Sequence, residues 1–141
     1  MAGKKPQRRE ASLQFPLHLL DPEDLLSFIA TTVFERAWER CGLTDDDLFE
    51  LQLGIMARPK AAPVMVGTGG LRKVRFSPAG AAHGKSGSHR ACYVYFEEFG
   101  IVLVLTAYLK NKKDNLSPAS RNAIRKMIEA QHRLLRRGPI P

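Results

Sequence analysis

Residues 71–76 read Leu-Arg-Lys-Val-Arg-Phe, and the alternation of apolar and basic side chains is the first chemical signal in the chain. In an extended strand it puts Leu71, Lys73 and Arg75 on one face and Arg72, Val74 and Phe76 on the other. Further cations follow at the ends of two later apolar runs. Arg90 opens the run 88–96, and Lys110, Lys112 and Lys113 follow the run 101–108, just after Tyr108. Guanidinium and ammonium groups held on neighbouring strands suit an anionic ligand, and fixed in place they stabilise charge that builds up on phosphate oxygens. The same pattern equally describes a passive surface for phosphate or for an acidic protein. On residue types alone both readings stay open.

Other chemistries are poorly served. Gly84-Lys85-Ser86 suggests a nucleotide-binding loop, but that motif needs a glycine where Ala79 stands, and it opens a helix, whereas this segment precedes a strand pattern. Gly67-Thr68-Gly69-Gly70 enters a strand and is read as a tight turn. The four histidines, His18, His83, His89 and His132, lack paired metal-ligand spacing, so no metal site is expected. No strand-turn-helix elbow surrounds a serine. Glu97 and Glu98 are read as solvated charges at a turn, and Trp38 as core. The two cysteines, Cys41 and Cys92, are too few and too far apart for a disulfide framework or a four-cysteine site.

The chain of 141 residues has one domain's length, and 44% hydrophobic against 26% charged residues is a globular balance. Its longest uncharged apolar run, 99–109, is too short to span a bilayer as a helix. No signal segment is evident, so a cytoplasmic protein without membrane attachment is expected. The net charge is +8, unevenly spread: +3 over residues 1–10, −5 over 11–66, +6 over 67–113 and +4 over 114–141. Such a basic second half points to a polyanionic partner, either nucleic acid or acidic protein.

The elements that must hold these cations follow from local signals. Residues 1–25 are a basic arm, expected to be disordered and read as an extension of the chain rather than a nucleic-acid grip. The folded domain is expected over 26–137. A short strand at about 27–31 precedes a helix from Val33 to about Cys41, with Thr32 and Glu35 as a capping box and Gly42 as terminator. The rival is one helix from Pro22 to Cys41. Thr44 with Asp45-Asp46-Asp47 starts a second helix, with Leu48, Leu51 and Ile55 on one face, and Arg58-Pro59 ends it. The short connection makes the two helices a hairpin. Strands follow at 71–76, 88–96 and 101–108, with a glycine-rich flexible loop at 77–87 and a tight turn at 97–100. Ser117-Pro118 caps a last helix with Ile124, Ile128 and Leu135 inward and Arg121, Arg125, Arg133 and Arg137 mostly outward.

Several separated strings in this order resemble a known family. They are Gly67-Thr68-Gly69-Gly70-Leu71-Arg72-Lys73-Val74-Arg75, then Gly84-Lys85-Ser86-Gly87 up to Arg90, then 93–96, 105–111 and Asp114-Asn115-Leu116-Ser117. Together they are similar to the RelE/HigB-type toxins of type II toxin–antitoxin systems, over roughly residues 28–136. The resemblance implies an α+β fold with a short strand, a two-helix hairpin, a curved antiparallel sheet and a C-terminal helix. It also implies an endoribonuclease that cuts messenger RNA on the ribosome without metal or any other cofactor. In that chemistry the ribose 2′-hydroxyl attacks the adjacent phosphate. By position, Lys73, Arg75, Arg90 and Lys110 become the catalytic candidates. Arg72, Lys85, Tyr108, Asn111, Lys112 and Lys113 become RNA contacts. Crowding by other cations favours a neutral lysine, so Lys73 or Lys110 could be the general base. Some relatives carry a tyrosine or histidine beyond the last strand. None lies between Lys110 and His132, and Tyr108 is the nearest candidate. Asn111 stands where some relatives have arginine. The implied partners are ribosome-bound messenger RNA and a cognate antitoxin protein. The alternatives are a ParE-like toxin that binds gyrase, and a relative that binds RNA or antitoxin without cutting.

Overall fold

The first strand is short because its chain is needed elsewhere. Ser27–Ala30 forms β1, and Thr31 at once turns the backbone into α1 (Thr32–Arg40). The Thr31 hydroxyl accepts from the Phe34 N–H at 3.0 Å and donates to the Leu105 carbonyl at 3.0 Å. One side chain therefore caps a helix and ties it to a strand 74 residues away. The expected capping box on Thr32 lies one residue too late, and a single helix from Pro22 is ruled out over the described part by β1. The computed structural model describes residues 25–78, 87–112 and 116–138. The expectation for the basic arm falls on residues outside these.

The second helix, α2 (Asp45–Ala57), starts with a reciprocal capping box: Asp47 N–H to Thr44 Oγ1 at 3.1 Å, and Thr44 N–H to Asp47 Oδ2 at 2.8 Å. Trp38 of α1 donates its indole N–H to the Thr44 carbonyl at 3.0 Å, closing the helical hairpin. Residues 63–65 then run along the outer edge of β2 (Leu71–Phe76), with Met65 N–H on the Leu71 carbonyl and Lys73 N–H on the Pro63 carbonyl. This strap covers an edge that would otherwise offer open backbone groups.

Strands β3 (His89–Phe96) and β4 (Ile101–Leu109) are joined by a short 3-10 turn ending at Gly100, whose φ of 65° suits glycine. The sheet order is β1-β4-β3-β2. β2, β3 and β4 pair antiparallel, and β1 joins β4 in parallel. The last helix, α3 (Pro118–Arg137), is capped by Ser117 with Pro118 at its first position, as the sequence predicts.

Helices cover both faces. On one face, α1 and α2 bury Phe34, Trp38, Leu51 and Ile55 against Ala91, Tyr93, Val102 and Val104. Phe34, Trp38 and Phe76 stack in series at centroid distances of 5.2 and 5.5 Å. On the other face, α3 packs Ile124, Ile128 and Leu135 over Leu71, Val94 and Phe96. This second cluster covers one end of its face. The cations lie toward the other end.

Candidate functional site

The register of the antiparallel strands decides which cations meet. Arg75 of β2 stands opposite Arg90 of β3, and Arg90 stands opposite Tyr108 of β4. Directly opposed residues on antiparallel strands share a face. Arg75, Arg90 and Tyr108 therefore form one row, about 10 Å from end to end at ordinary strand spacing. The neighbouring row is Lys73, Cys92 and Thr106, on the same face and one step closer to α3. Lys110 donates its backbone N–H to the Ser88 carbonyl at 3.0 Å, which brings it to the same end of the sheet, one step beyond Arg90 and Tyr108. Lys110, Asn111 and Lys112 form an exposed turn closed by Lys112 N–H on the Leu109 carbonyl.

Tyr108 reaches this face because β4 is irregular. Cys92 pairs with Thr106 while Tyr93 pairs with Val104, so Leu105 is an extra residue. A bulge shifts the phase of alternation by one. Strict alternation from buried Val102 and Val104 would send Tyr108 to the α1–α2 side. With the bulge, Ala107 takes that inward place and Tyr108 joins the arginines. The same bulge presents the Leu105 carbonyl that Thr31 binds. Beside Tyr108 lies a largely apolar groove of about 610 Å³, lined in part by Ile29, Leu105, Leu116 and Met127.

Arg90 is held by its own turn. Its Nη1 donates to the Gly87 carbonyl at 2.7 Å and to the His89 carbonyl at 3.1 Å. Arg75 is exposed next to it. Two guanidinium groups share one row, with Lys73 in the next, and the Arg90 head is held by carbonyls; a cluster of this kind suits an anionic ligand.

The structure does not bring every expected contact here. Arg72 lies on the opposite face, and its Nη1 donates to the Ala62 carbonyl at 2.6 Å and the Lys60 carbonyl at 3.1 Å. It pins the edge strap and is set apart from the row. Lys85 and Lys113 lie outside the described residues. Arg121 and Arg125 of α3, expected mostly outward, are half-buried against the Gly67–Gly70 turn. Arg121 donates to the Leu116 and Val66 carbonyls, and Arg125 to Asn122 and Glu129. That glycine turn is a seat for α3. Its centre is the fully buried Thr68, whose hydroxyl donates to the Met65 carbonyl and accepts from the Leu71 N–H.

Three residues near the row entered the sequence reading only in other roles: Ser77 as the start of a flexible loop, Gly87 within a motif string and His89 among histidines without metal spacing. Ser77 and Gly87 close the chain between β2 and β3, with the Gly87 N–H on Ser77 Oγ at 2.9 Å. A serine one residue after a basic strand and a glycine three residues before Arg90 are the only sequence marks of this contact. His89, on the core side of β3, stacks on Phe76 with a centroid distance of 5.4 Å. Ser88 Oγ lies 2.8 Å from its Nδ1, and its Nε2 is buried with no hydrogen-bond partner among the described residues. Burial pushes its pKa below the ordinary value of 6.5, with the Asp47 carboxylate opposing the shift. Tyr93, whose hydroxyl donates to the Pro59 carbonyl at 2.8 Å, has its pKa raised by burial, with Arg72 opposing. Among the described residues, no group of three His, Cys, Asp or Glu side chains is gathered as for a metal ion, and no helix is long and apolar enough to cross a membrane.

No protein-family model matches the chain. Among solved structures, the chain is similar to the free-state structure of an arginine-to-alanine double mutant of the E. coli toxin RelE. The two share 15% sequence identity with a TM-score of 0.41, over 62% of this chain and 85% of that one.

Proposed function

We propose that this chain is the toxin of a type II toxin–antitoxin pair, a metal-independent endoribonuclease that cuts messenger RNA on the ribosome. The observation that carries the reading is the cross-strand row Arg75–Arg90–Tyr108 with Lys73 beside it. The ordered motifs shared with RelE/HigB-type toxins give that row its chemistry.

In the proposed reaction the ribose 2′-oxygen forms a bond to the neighbouring phosphorus and the bond from phosphorus to the 5′-oxygen breaks. The 2′-hydroxyl proton passes to a general base, Lys73 or Lys110. A proton is returned to the leaving 5′-oxygen. The products are a 2′,3′-cyclic phosphate and a 5′-hydroxyl. Arg75 and Arg90 stabilise the extra negative charge on the non-bridging oxygens, a role in which one donor is worth about 10²–10³ in rate. Tyr108, between the cations and the apolar groove, offers a ring on which a base can stack. Lys112 and Asn111, in the exposed turn after β4, offer a charge and an amide to the RNA at the same end of the sheet. The second partner is an antitoxin whose acidic or amphipathic segment covers the cation face, which makes a component of its binding salt-sensitive.

Induced expression followed by mapping of RNA 5′ ends tests the reading. Growth arrest with new 5′-hydroxyl ends inside translated messages is the expected result, abolished by Arg90→Ala. Intact messages with DNA damage would instead favour a gyrase-binding toxin.

A further inference from the structure

Arg75 and Arg90 carry the same charge, sit opposite each other, and belong to strands whose ends are linked through residues 77–88. The β2–β3 ladder holds their backbones opposite each other, which leaves the orientation of the two like-charged head groups to be fixed. The contacts converge on a single turn. Ser77 Oγ accepts from the Gly87 N–H at 2.9 Å and, more weakly, from the Ser88 N–H at 3.4 Å. Gly87 has φ +91°, and a Cβ there would touch Arg75 Cβ and Cδ at 3.5 Å and Arg90 Nη1 at 3.6 Å. Its carbonyl takes Arg90 Nη1 at 2.7 Å. Gly87 is therefore anchored through its N–H by Ser77 and bonded through its carbonyl to the head of Arg90, and a side chain there would meet the stem of Arg75.

We infer that Ser77 and Gly87 form a positioning latch for the arginine pair. The Ser77 hydroxyl holds Gly87 through its N–H and, more weakly, through the Ser88 N–H, and the Gly87 carbonyl sets the orientation of the Arg90 guanidinium beside Arg75. Neither residue touches substrate. Their effect is to fix the donors in advance, so that no reordering is needed as phosphate charge develops. The absence of a side chain at Gly87 is part of the device, since its φ of +91° disfavours one. The inference rests on the ribonuclease reading for its consequence in catalysis, and on geometry alone for the latch itself.

The test pairs a structural readout with a kinetic one on the full chain. Nitrogen-15 NMR of arginine side chains measures how fast the Arg90 guanidinium rotates. In the wild type, slow rotation is expected for Arg90, and fast rotation would overturn the latch without any variant. Ser77→Ala should release Arg90 to fast rotation, and Ser77→Thr, which keeps the hydroxyl, should restore the slow regime. With an RNA substrate, Ser77→Ala should lower kcat by about ten- to a hundredfold with KM little changed, and Ser77→Thr should recover most of it. An Arg90 signal and a kcat both unaltered by Ser77→Ala would refute the latch. Failure of the wild type to cut RNA would refute the ribonuclease reading, and the rotation measurement would still decide the latch.

Discussion

Two glycine turns in this molecule each carry a pair of arginines, and they use them in opposite ways. At Gly67–Gly70, Arg121 and Arg125 reach over from α3 and lie against the bare backbone. A Cβ on Gly69 would come within 2.9 Å of Arg125 Cγ, and Arg121 places its donors on chain carbonyls. At Gly87, Arg75 and Arg90 come from strands within the sheet and sit at its open end. There the turn fixes Arg90, while Arg75 remains exposed. Arg72 belongs with the first kind, its Nη1 bound to two carbonyls of the strap. Arg72 and Arg121 reach carbonyls of distant segments, whereas Arg90 bonds carbonyls within three residues of it and Arg75 is exposed, so the first two tie segments together and the second two leave their charge at the open end of the sheet.

The sharpest way to break this comparison is to exchange the expected phenotypes. Arg90→Ala should reduce RNA cleavage by about 10²–10³-fold, while leaving the thermal melt close to wild type. Loss of folding instead would place Arg90 with the structural arginines. Thr68→Val keeps the shape of the fully buried side chain but removes the acceptor of the Leu71 N–H and leaves the Met65 carbonyl with the longer bond from the Thr68 N–H. A loss of about 2–3 kcal/mol in denaturant unfolding is expected, with residual activity per folded molecule retained. Arg72→Ala should cost about 1–2 kcal/mol through the two carbonyl bonds it gives up, with little change in salt-dependent RNA affinity. A steep fall in that affinity would move Arg72 into the site.

The smallest effect concerns pH. His89 is buried and its folded-state pKa lies below 6.5. As pH falls through that value the unfolded chain takes up a proton that the folded chain resists. Stability from this residue is therefore complete above about pH 6.5 and declines below it, toward the lowered folded value. Asp47 opposes the shift and keeps the decline modest. Melting temperatures between pH 7.5 and 5 should fall in the wild type and fall less in His89→Phe.

Much of the scaffold was legible because its signals are local. The alternation of 71–76, the Thr44 cap with its three aspartates, Gly100 at the turn and Ser117-Pro118 at the last helix each name a conformation within a few residues. So was the shared face of Lys73 and Arg75. The less legible features depend on distant partners. Thr31 outcompetes Thr32 as cap because a bulge 74 residues away exposes the Leu105 carbonyl. Tyr108 changes sides for the same reason, and no period within 101–108 announces it. The fates of Arg72 and Arg121 were hidden because carbonyls that hold them belong to other segments, and that of Arg125 because the glycine turn it lies against does. The latch at Ser77 spans ten residues and leaves no periodic mark.

The central claim is that the Arg75–Arg90–Tyr108 row meets a scissile RNA phosphate. Its most direct measurement is the chemistry of the RNA ends made by purified protein on programmed ribosomes. Fragments are characterised after reactions with wild type and with Arg90→Ala under one ionic condition. The account predicts 2′,3′-cyclic phosphate and 5′-hydroxyl ends from the wild type and none above background from the variant. Uncut messages with the wild type, or 5′-phosphate ends, or equal cutting by Arg90→Ala, would contradict it.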